Sequence, residues 1–147
     1  MVEPEKLQKY SLFGGLLADQ ISQILPNVTD ELFSNGEIII AEGKPNDKIY
    51  FILEGRVSVA KNGILLTELG EGSTFGEMEV LDVMPSAATI TAIGNIKTVT
   101  ISNKALREIY KTDIHCFSLM MMNLARDLSR HLRIMDEKAA GEKPLSI

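Results

Sequence analysis

Short runs of β-branched, aromatic and leucine residues, separated by glycine turns, fill residues 31–102 and constrain the fold more than any other feature. The runs are IIIA at 38–41, IYFIL at 49–53, VSVA at 57–60 and ILLTEL at 64–69, with two more at 87–92 and 97–101. The dipeptides Asn35-Gly36 and Asn62-Gly63 tolerate the positive φ angles of tight hairpins. About eight short strands at this spacing indicate a jelly-roll or sandwich.

Helical patterns flank this region on both sides. The first 25 residues carry a short helical pattern that Gly14-Gly15 interrupts and Pro26 closes. Ser102 can cap a short helix through Tyr110, and the pattern is helical again from Asp113. We predict a mainly β chain of α+β type, consisting of an N-terminal helical segment (1–30), an eight-stranded jelly-roll β-barrel (31–102), C-terminal helices that include one long helix (103–137) and a flexible tail (138–147).

The length and charge of the chain limit the functions that it can have. A chain of 147 residues with 45% hydrophobic content can bury one core, so we predict one domain. A net charge of −5 argues against a broad DNA-binding face. No apolar run of membrane-spanning length and no signal-peptide pattern occur, so we expect a soluble cytoplasmic protein without membrane contact. The single cysteine, Cys116, lies beside Phe117 in a helical pattern, which favours a buried structural thiol.

The residue types needed for catalysis do not converge in this sequence. The two histidines, His115 and His131, both fall on the C-terminal helix, so they cannot supply the paired strand ligands of a metal-binding cupin. No glycine-flanked serine follows a strand in the manner of a nucleophile elbow. We therefore expect no catalytic residues, no metal and no enzymatic activity.

Apolar residues recur at alternating steps of three and four along the C-terminal helix. Such a heptad seam is typical of a helix that pairs with a second copy of itself. The alternative is that the first half of the stripe packs on the barrel, and Met120 and Leu132 widen it beyond a strict seam. The predicted homodimer interface comprises Ile114, Phe117, Met121, Leu124, Leu128 and Met135.

Residues 70–92, GEGSTFGEMEVLDVMPSAATITA, combine a glycine-rich turn, one acidic helical turn and a small-residue strand. We call this segment the cassette. The amides near Gly76, Glu77 and Met78 would open the helical turn without intrahelical partners, and such amides suit an anion. Pro85 cannot continue a helix, so we expect it to end the turn and deliver Ser86 into an extended strand. The sequence therefore predicts one ligand pocket enclosed by the cassette.

This chain resembles the cyclic-nucleotide-binding domain family, which is found in catabolite-activator-type regulators, protein kinase A regulatory subunits and cyclic-nucleotide-gated channels. The resemblance lies in the combination of the N-terminal helical segment, the barrel, the cassette and the long C-terminal helix. The most specific parts are FGEMEVLD followed by PSAAT, and GEIIIAEGKPNDKIYFILEGRVSVAKNG upstream. The resemblance implies that the cassette amides face a cyclic phosphate, that Glu77 accepts from the ribose hydroxyl, and that the C-terminal helix caps the base near His131. The implied ligand-binding residues are Phe75, Gly76, Glu77, Met78, Ser86, Ala87 and His131.

Two positions depart from the family pattern where the phosphate would lie. The nucleotide-binding members place an arginine just before the small-residue strand, and this chain has Ser86. A guanidinium holds two phosphate oxygens, whereas a serine hydroxyl donates one uncharged hydrogen bond. Glu79 stands where the family commonly has a small residue; it either enters the pocket and repels an anion or points to solvent. Glu77 likewise has two readings, as a ligand contact or as a cap for nearby amides.

The resemblance implies a stand-alone regulatory module that binds cAMP or cGMP weakly, or accepts another small ligand, without a further cofactor. Its C-terminal helix would signal to a protein effector that the sequence does not identify. We expect no DNA partner, since no helix-turn-helix follows the long helix. The competing hypothesis is a ligand-independent dimeric scaffold, in which the cassette is kept for folding alone.

Overall fold

A computed structural model of the chain describes residues 3–141. The N-terminal part contains α1 (Pro4–Gln8), α2 (Ala18–Ile24) and 3₁₀ turns at Ser11–Phe13 and Leu25–Asn27. The strands are β1 (Thr29–Phe33), β2 (Ile38–Ile40), β3 (Lys48–Lys61), β4 (Ile64–Leu69), β5 (Thr74–Phe75) and β6 (Thr89–Ser102). Helix α3 (Glu77–Asp82) precedes β6, and α4 (Asn103–Thr112) and α5 (Ile114–Ala139) follow it. Within the described residues, no helix has the length and apolar character needed to cross a membrane.

The six strands form one antiparallel sheet in the order β1-β6-β3-β4, with β2 on β6 and β5 on β3. The mainly β class with flanking helices and a long C-terminal helix is thereby confirmed. Closure into a barrel was predicted wrongly, because across residues 3–141 the sheet is open. The predicted count of eight strands is also wrong.

Gly55 explains the difference in strand count. The runs at 49–53 and 57–60 belong to the single strand β3, which shifts register against β6 on either side of Glu54. Gly55 has φ +98°, and a Cβ there would lie 2.6 Å from Cγ2 of Ile96. The glycine thus lets the strand bend without ending. Residues 89–92 and 97–101 likewise belong to one strand, β6.

Two local predictions hold. Asn62 and Gly63 have φ of 52° and 76°, the pair of positive angles that a tight hairpin turn needs, and β4 occupies residues 64–69 as expected. The Ser102 Oγ accepts a hydrogen bond from the Ala105 N–H at 3.0 Å, which caps α4.

The buried apolar residues form two clusters. One joins the N-terminal turns, α4 and α5 to one end of the sheet, and it includes Phe13, Phe51 and Ile109. The other lies among the strands beneath the cassette, around Tyr50 and Phe75. Cys116 belongs to the first cluster and is fully buried, which confirms the structural thiol; burial raises its pKa to about 12.

Helix α5 packs on its own chain through the first half of the apolar stripe, as the alternative to a seam predicted. Leu124 is 1% exposed in the first cluster, so its place in the predicted dimer interface is corrected. Phe117 and Met121 are half-buried against the same cluster. Leu128 is half-buried too, whereas Ile114 and Met135 are exposed. The homodimer itself stays a prediction.

The limits of α5 also differ from expectation. The helix continues to Ala139, past residue 137 where the helical region was predicted to end. Residues 142–147 of the predicted tail and residues 1–2 of the predicted N-terminal segment lie outside the described residues.

Candidate ligand-binding cavity

A cavity of about 400 Å³ lies between the sheet, the cassette and the last turns of α5. The cassette contributes residues 74–79, 86–88 and 90, and the β3–β4 hairpin contributes Val59 and residues 66–69. Helix α5 adds His131, Ile134, Met135 and Lys138. Most of these side chains are apolar, and the volume lies within the range of small-molecule sites.

The predicted ligand-binding residues meet in this cavity. Residues as far apart as Phe75 and His131 line the same space, together with Gly76, Glu77, Met78, Ser86 and Ala87. The structure thus brings the seven positions together, and their contact with a ligand stays a prediction. Met135, predicted for the dimer interface, lines the cavity as well.

Sequence reasoning missed Ile134 and Lys138. They follow His131 by three and seven residues, and Met135 follows it by four, so the four side chains share one face of α5. Same-face spacing from His131 was the signal that would have found both. It also explains why a heptad residue, Met135, faces the cavity.

Gly76 fixes the cassette to the start of β3. Its φ is +82°, and a Cβ there would lie 2.6 Å from the Lys48 carbonyl oxygen. The Asn46 Nδ2 donates to the carbonyl oxygens of Lys48 (2.8 Å) and Gly76 (3.0 Å). One residue earlier, the Phe75 ring stacks on Tyr50 at 4.8 Å. Only glycine fits both the angle and the space.

Helix α3 ends by a different device from the one predicted. Val83 adopts φ +59°, and its N–H donates to the Glu79 carbonyl oxygen at 3.0 Å. Pro85 comes two residues later and does not itself stop the helix. Ser86 lies in the connection before β6, which begins at Thr89, so its predicted place in a strand is corrected.

Glu77 is buried in the cavity wall, with 6% of the residue exposed. Burial raises the pKa of its carboxyl to about 7, although a hydrogen bond from its own backbone N–H acts in the opposite direction. The carboxylates of Glu79 and Asp127 raise the pKa further. Glu77 therefore lines the cavity and accepts from its own backbone N–H, so both of its proposed roles fit the geometry.

Glu79 is buried and lines the cavity, and it also borders a second depression beside Asn46 and Val80, so the orientation toward solvent is excluded. The residue is 9% exposed, and its carboxyl accepts hydrogen bonds from the Asn46 and Ser86 side chains. Burial raises the pKa of its carboxyl, and the nearby Asp82 adds to the rise. Its own backbone N–H and the Asn46 and Ser86 side chains lower the pKa. A ligand at this wall meets an acid where the family commonly has a small side chain.

The Ser86 side chain is already committed within its loop. Its Oγ donates to the Ala88 carbonyl oxygen at 2.7 Å, and its N–H donates to the Lys44 carbonyl oxygen at 2.9 Å. Ser86 is only 6% exposed. The hydroxyl therefore holds the turn before β6 and lies against the Glu79 carboxyl, whose pKa it lowers, so it is not a free donor.

The basic groups of the cavity come from α5. Among the described residues that line it, the basic side chains are His131, half-buried, and Lys138, exposed. Glu68 is an acidic wall residue that already pairs with Arg56, at 3.1 Å. In the same described part of the chain, no group of three histidine, cysteine or acidic side chains is arranged to hold a metal ion.

An open antiparallel sheet, a glycine-anchored cassette and a C-terminal helix surround one cavity, and this arrangement is typical of a small-molecule-binding domain. The chain belongs to the cyclic nucleotide-binding domain family, whose sequence profile matches residues 31–113. Domains of this family are regulatory and not catalytic.

Relatives with known names share this region. A CRP-like cAMP-activated global transcriptional regulator from Mycobacterium tuberculosis is 28% identical over 131 residues, which cover 86% of this chain and 58% of the regulator. A cAMP-dependent protein kinase regulatory subunit from Dictyostelium discoideum is 33% identical over 85 residues, covering 52% of this chain and 26% of the subunit. This chain therefore spans only part of the length of both relatives.

Solved structures share the fold. A cyclic nucleotide-binding domain from Methylobacillus flagellatus superposes with a TM-score of 0.84 at 21% identity, covering 99% of this chain and 84% of that one.

Proposed function

We propose that this chain is a non-enzymatic regulatory module whose cavity senses a small ligand and signals through α5. The observation that carries the proposal is that one cavity is walled both by the cassette and by His131, Ile134 and Met135 of α5. A ligand that contacts both walls stabilises the docked position of the helix. Occupancy then shifts the population of docked and undocked α5, which a protein effector reads.

Weak or altered recognition of cyclic nucleotides is part of the proposal. Ser86 replaces the arginine that the family resemblance implies, and its hydroxyl is bonded to Ala88. Loss of one charge-assisted contact worth about 1.5–3 kcal/mol weakens binding by roughly ten- to a hundredfold. The buried Glu79 carboxyl disfavours an anion at the same wall. We therefore expect weak binding of cAMP and cGMP, with dissociation constants well above the submicromolar range.

Isothermal titration calorimetry with cAMP and cGMP tests this function, combined with hydrogen exchange of α5. We expect weak binding of both nucleotides. At saturating ligand, we expect slower amide exchange in the last turns of α5. A submicromolar dissociation constant would overturn weak sensing. Bound ligand that leaves the exchange of α5 unchanged would overturn signalling through this helix.

A dimeric scaffold is the second candidate function, and the exposed apolar residues of α5 favour it. Ile114, Met122 and Leu132 are 58%, 52% and 63% exposed. A second copy of this chain is the proposed occupant, because large apolar side chains exposed along one long helix are typical of a surface that another chain covers. A cytoplasmic location also stays a prediction from the sequence.

A further inference from the structure

Within residues 3–141, the two carboxyl groups in the cavity wall have no cationic partner. Glu77 and Glu79 are 6% and 9% exposed. Among the described residues, the ion pairs at the protein surface involve other acids, such as Glu68 with Arg56 and Glu31 with Lys48. Burial of both wall acids raises their pKa values, which reflects how poorly this site tolerates negative charge.

Ser86, which stands where the family resemblance implies an arginine, has both of its donors bonded to backbone carbonyl oxygens. The Ser86 Oγ donates to the Ala88 carbonyl oxygen, and its N–H donates to the Lys44 carbonyl oxygen. Lys138 is exposed at the rim, where water screens its charge far more than it screens a buried carboxyl. The cassette wall therefore presents two buried carboxyl groups to the cavity, while the Lys138 ammonium lies at its exposed rim.

Donor groups on a ligand complement such a wall. Carboxyl oxygens accept hydrogen bonds, and a protonated carboxyl also donates one. The rest of the wall is apolar, with Val59, Leu69 and Ile90 from the sheet and Ile134 from α5, which suits the faces of a ring. A sugar hydroxyl at the cassette wall and a ring against the apolar wall would use both surfaces.

We infer that the cavity takes an uncharged, hydroxyl-bearing ring compound of the nucleoside type, with a hydroxyl donating to Glu79 where the family resemblance places the phosphate. This rests on the proposed function, because it assigns a ligand class to the same cavity. A nucleoside and its cyclic phosphate share a base and a sugar and differ in the charged phosphate, so their relative affinities report how the cavity treats negative charge.

Matched pairs of ligands test it on the full chain. Calorimetric titrations compare adenosine with cAMP, guanosine with cGMP, cytidine with cCMP and uridine with cUMP. We expect at least one nucleoside to bind about tenfold or more tightly than its cyclic phosphate. Glu79→Ala should narrow that preference by about tenfold, because it removes the acceptor and the repulsion together. Glu108→Gln, which removes a charge from the surface of α4, should leave the preference unchanged.

Each other result contradicts the inference in a recognisable way. A cyclic phosphate that binds more tightly than its nucleoside overturns the ligand class and leaves ligand sensing in place. If Lys138→Met then abolishes that binding, the rim lysine supplies the missing charge. If no ligand of the four pairs binds, the proposed nucleoside-type ligand class is overturned. If the amide hydrogen exchange of α5 is also unchanged with all eight compounds, this result counts against the sensing function too.

Discussion

The Asn123 Nδ2 donates a hydrogen bond to the carbonyl oxygen of Gly14 at 2.9 Å. The same Nδ2 donates to the Leu12 carbonyl oxygen at 3.1 Å, and Asn123 is 6% exposed. The middle of α5 is thereby tied to the N-terminal turns, while its last turns line the cavity. Motion of α5 against the cassette must therefore occur beyond this tie.

Asn123→Ala should lower the free energy of unfolding by about 2 kcal/mol, because two carbonyl oxygens lose a buried donor. Urea denaturation measures the change. Met122→Ala, on the neighbouring exposed position, should cost less than about 0.5 kcal/mol. Equal losses in the two variants would show that the tie contributes nothing specific.

Ser86→Arg combined with Glu79→Ala should strengthen cAMP binding by about tenfold or more, since it supplies a guanidinium and removes a buried acid. Calorimetry on both single variants and the double variant separates the two contributions. Binding that does not improve in a folded double variant would refute the electrostatic explanation of weak recognition.

Glu77 should make stability depend on pH. Its folded-state pKa of about 7 lies above the ordinary value of 4.5, so the fold favours the protonated carboxyl. This contribution is fully present below pH about 4.5 and is lost as the pH rises to about 7, a change of about 3 kcal/mol. Wild type should lose that amount relative to Glu77→Gln over this range, measured by urea unfolding at each pH. Parallel curves for wild type and variant would contradict the prediction.

Val83→Gly should raise the free energy of unfolding by about 1 kcal/mol. A β-branched residue at φ +59° carries strain of about 1–2 kcal/mol, and Val83 is 84% exposed, so little packing is lost. Leu81→Gly, inside α3, should instead destabilise by about 1 kcal/mol. Thermal and urea unfolding of both variants check the opposite signs; a loss at both positions would argue against strain at Val83.

Leu132→Glu should lower the mass measured by light scattering from that of a dimer to that of a monomer, with little change in stability. Lys61→Glu, at the exposed end of β3 next to the turn into β4, is the control and should leave the mass unchanged. Leu124→Glu should instead unfold the chain, because Leu124 is 1% exposed in the core. A wild-type chain that is monomeric at all concentrations would remove the homodimer.

Local signals in the sequence predicted much of the fold. Asn62-Gly63 marked a hairpin and Ser102 marked a cap, because each depends on the chemistry of one or two neighbouring residues. Strand count failed at Gly55, where a glycine that usually separates strands allows one strand to bend. Sequence alone does not distinguish a glycine that ends a strand from one that bends it, since the bend at Gly55 depends on the approach of Ile96 from β6.

The site was predictable in outline for a similar reason. Cassette residues are contiguous, so they were found together, and His131 followed from the family resemblance. The orientation of Glu79 depends on how α3 is rotated against β3, which Gly76 and Asn46 fix through tertiary contacts. Leu124 was assigned to a seam because a heptad pattern does not reveal which surface covers it.

The clamp that Asn46 makes on Lys48 and Gly76 is built wholly from the protein's own amide and carbonyl groups. The protein's own groups thus hold the backbone of the cassette at Gly76. Substitutions at positions 79 and 86 can therefore change which ligand charge the cavity accepts without altering the backbone that forms it.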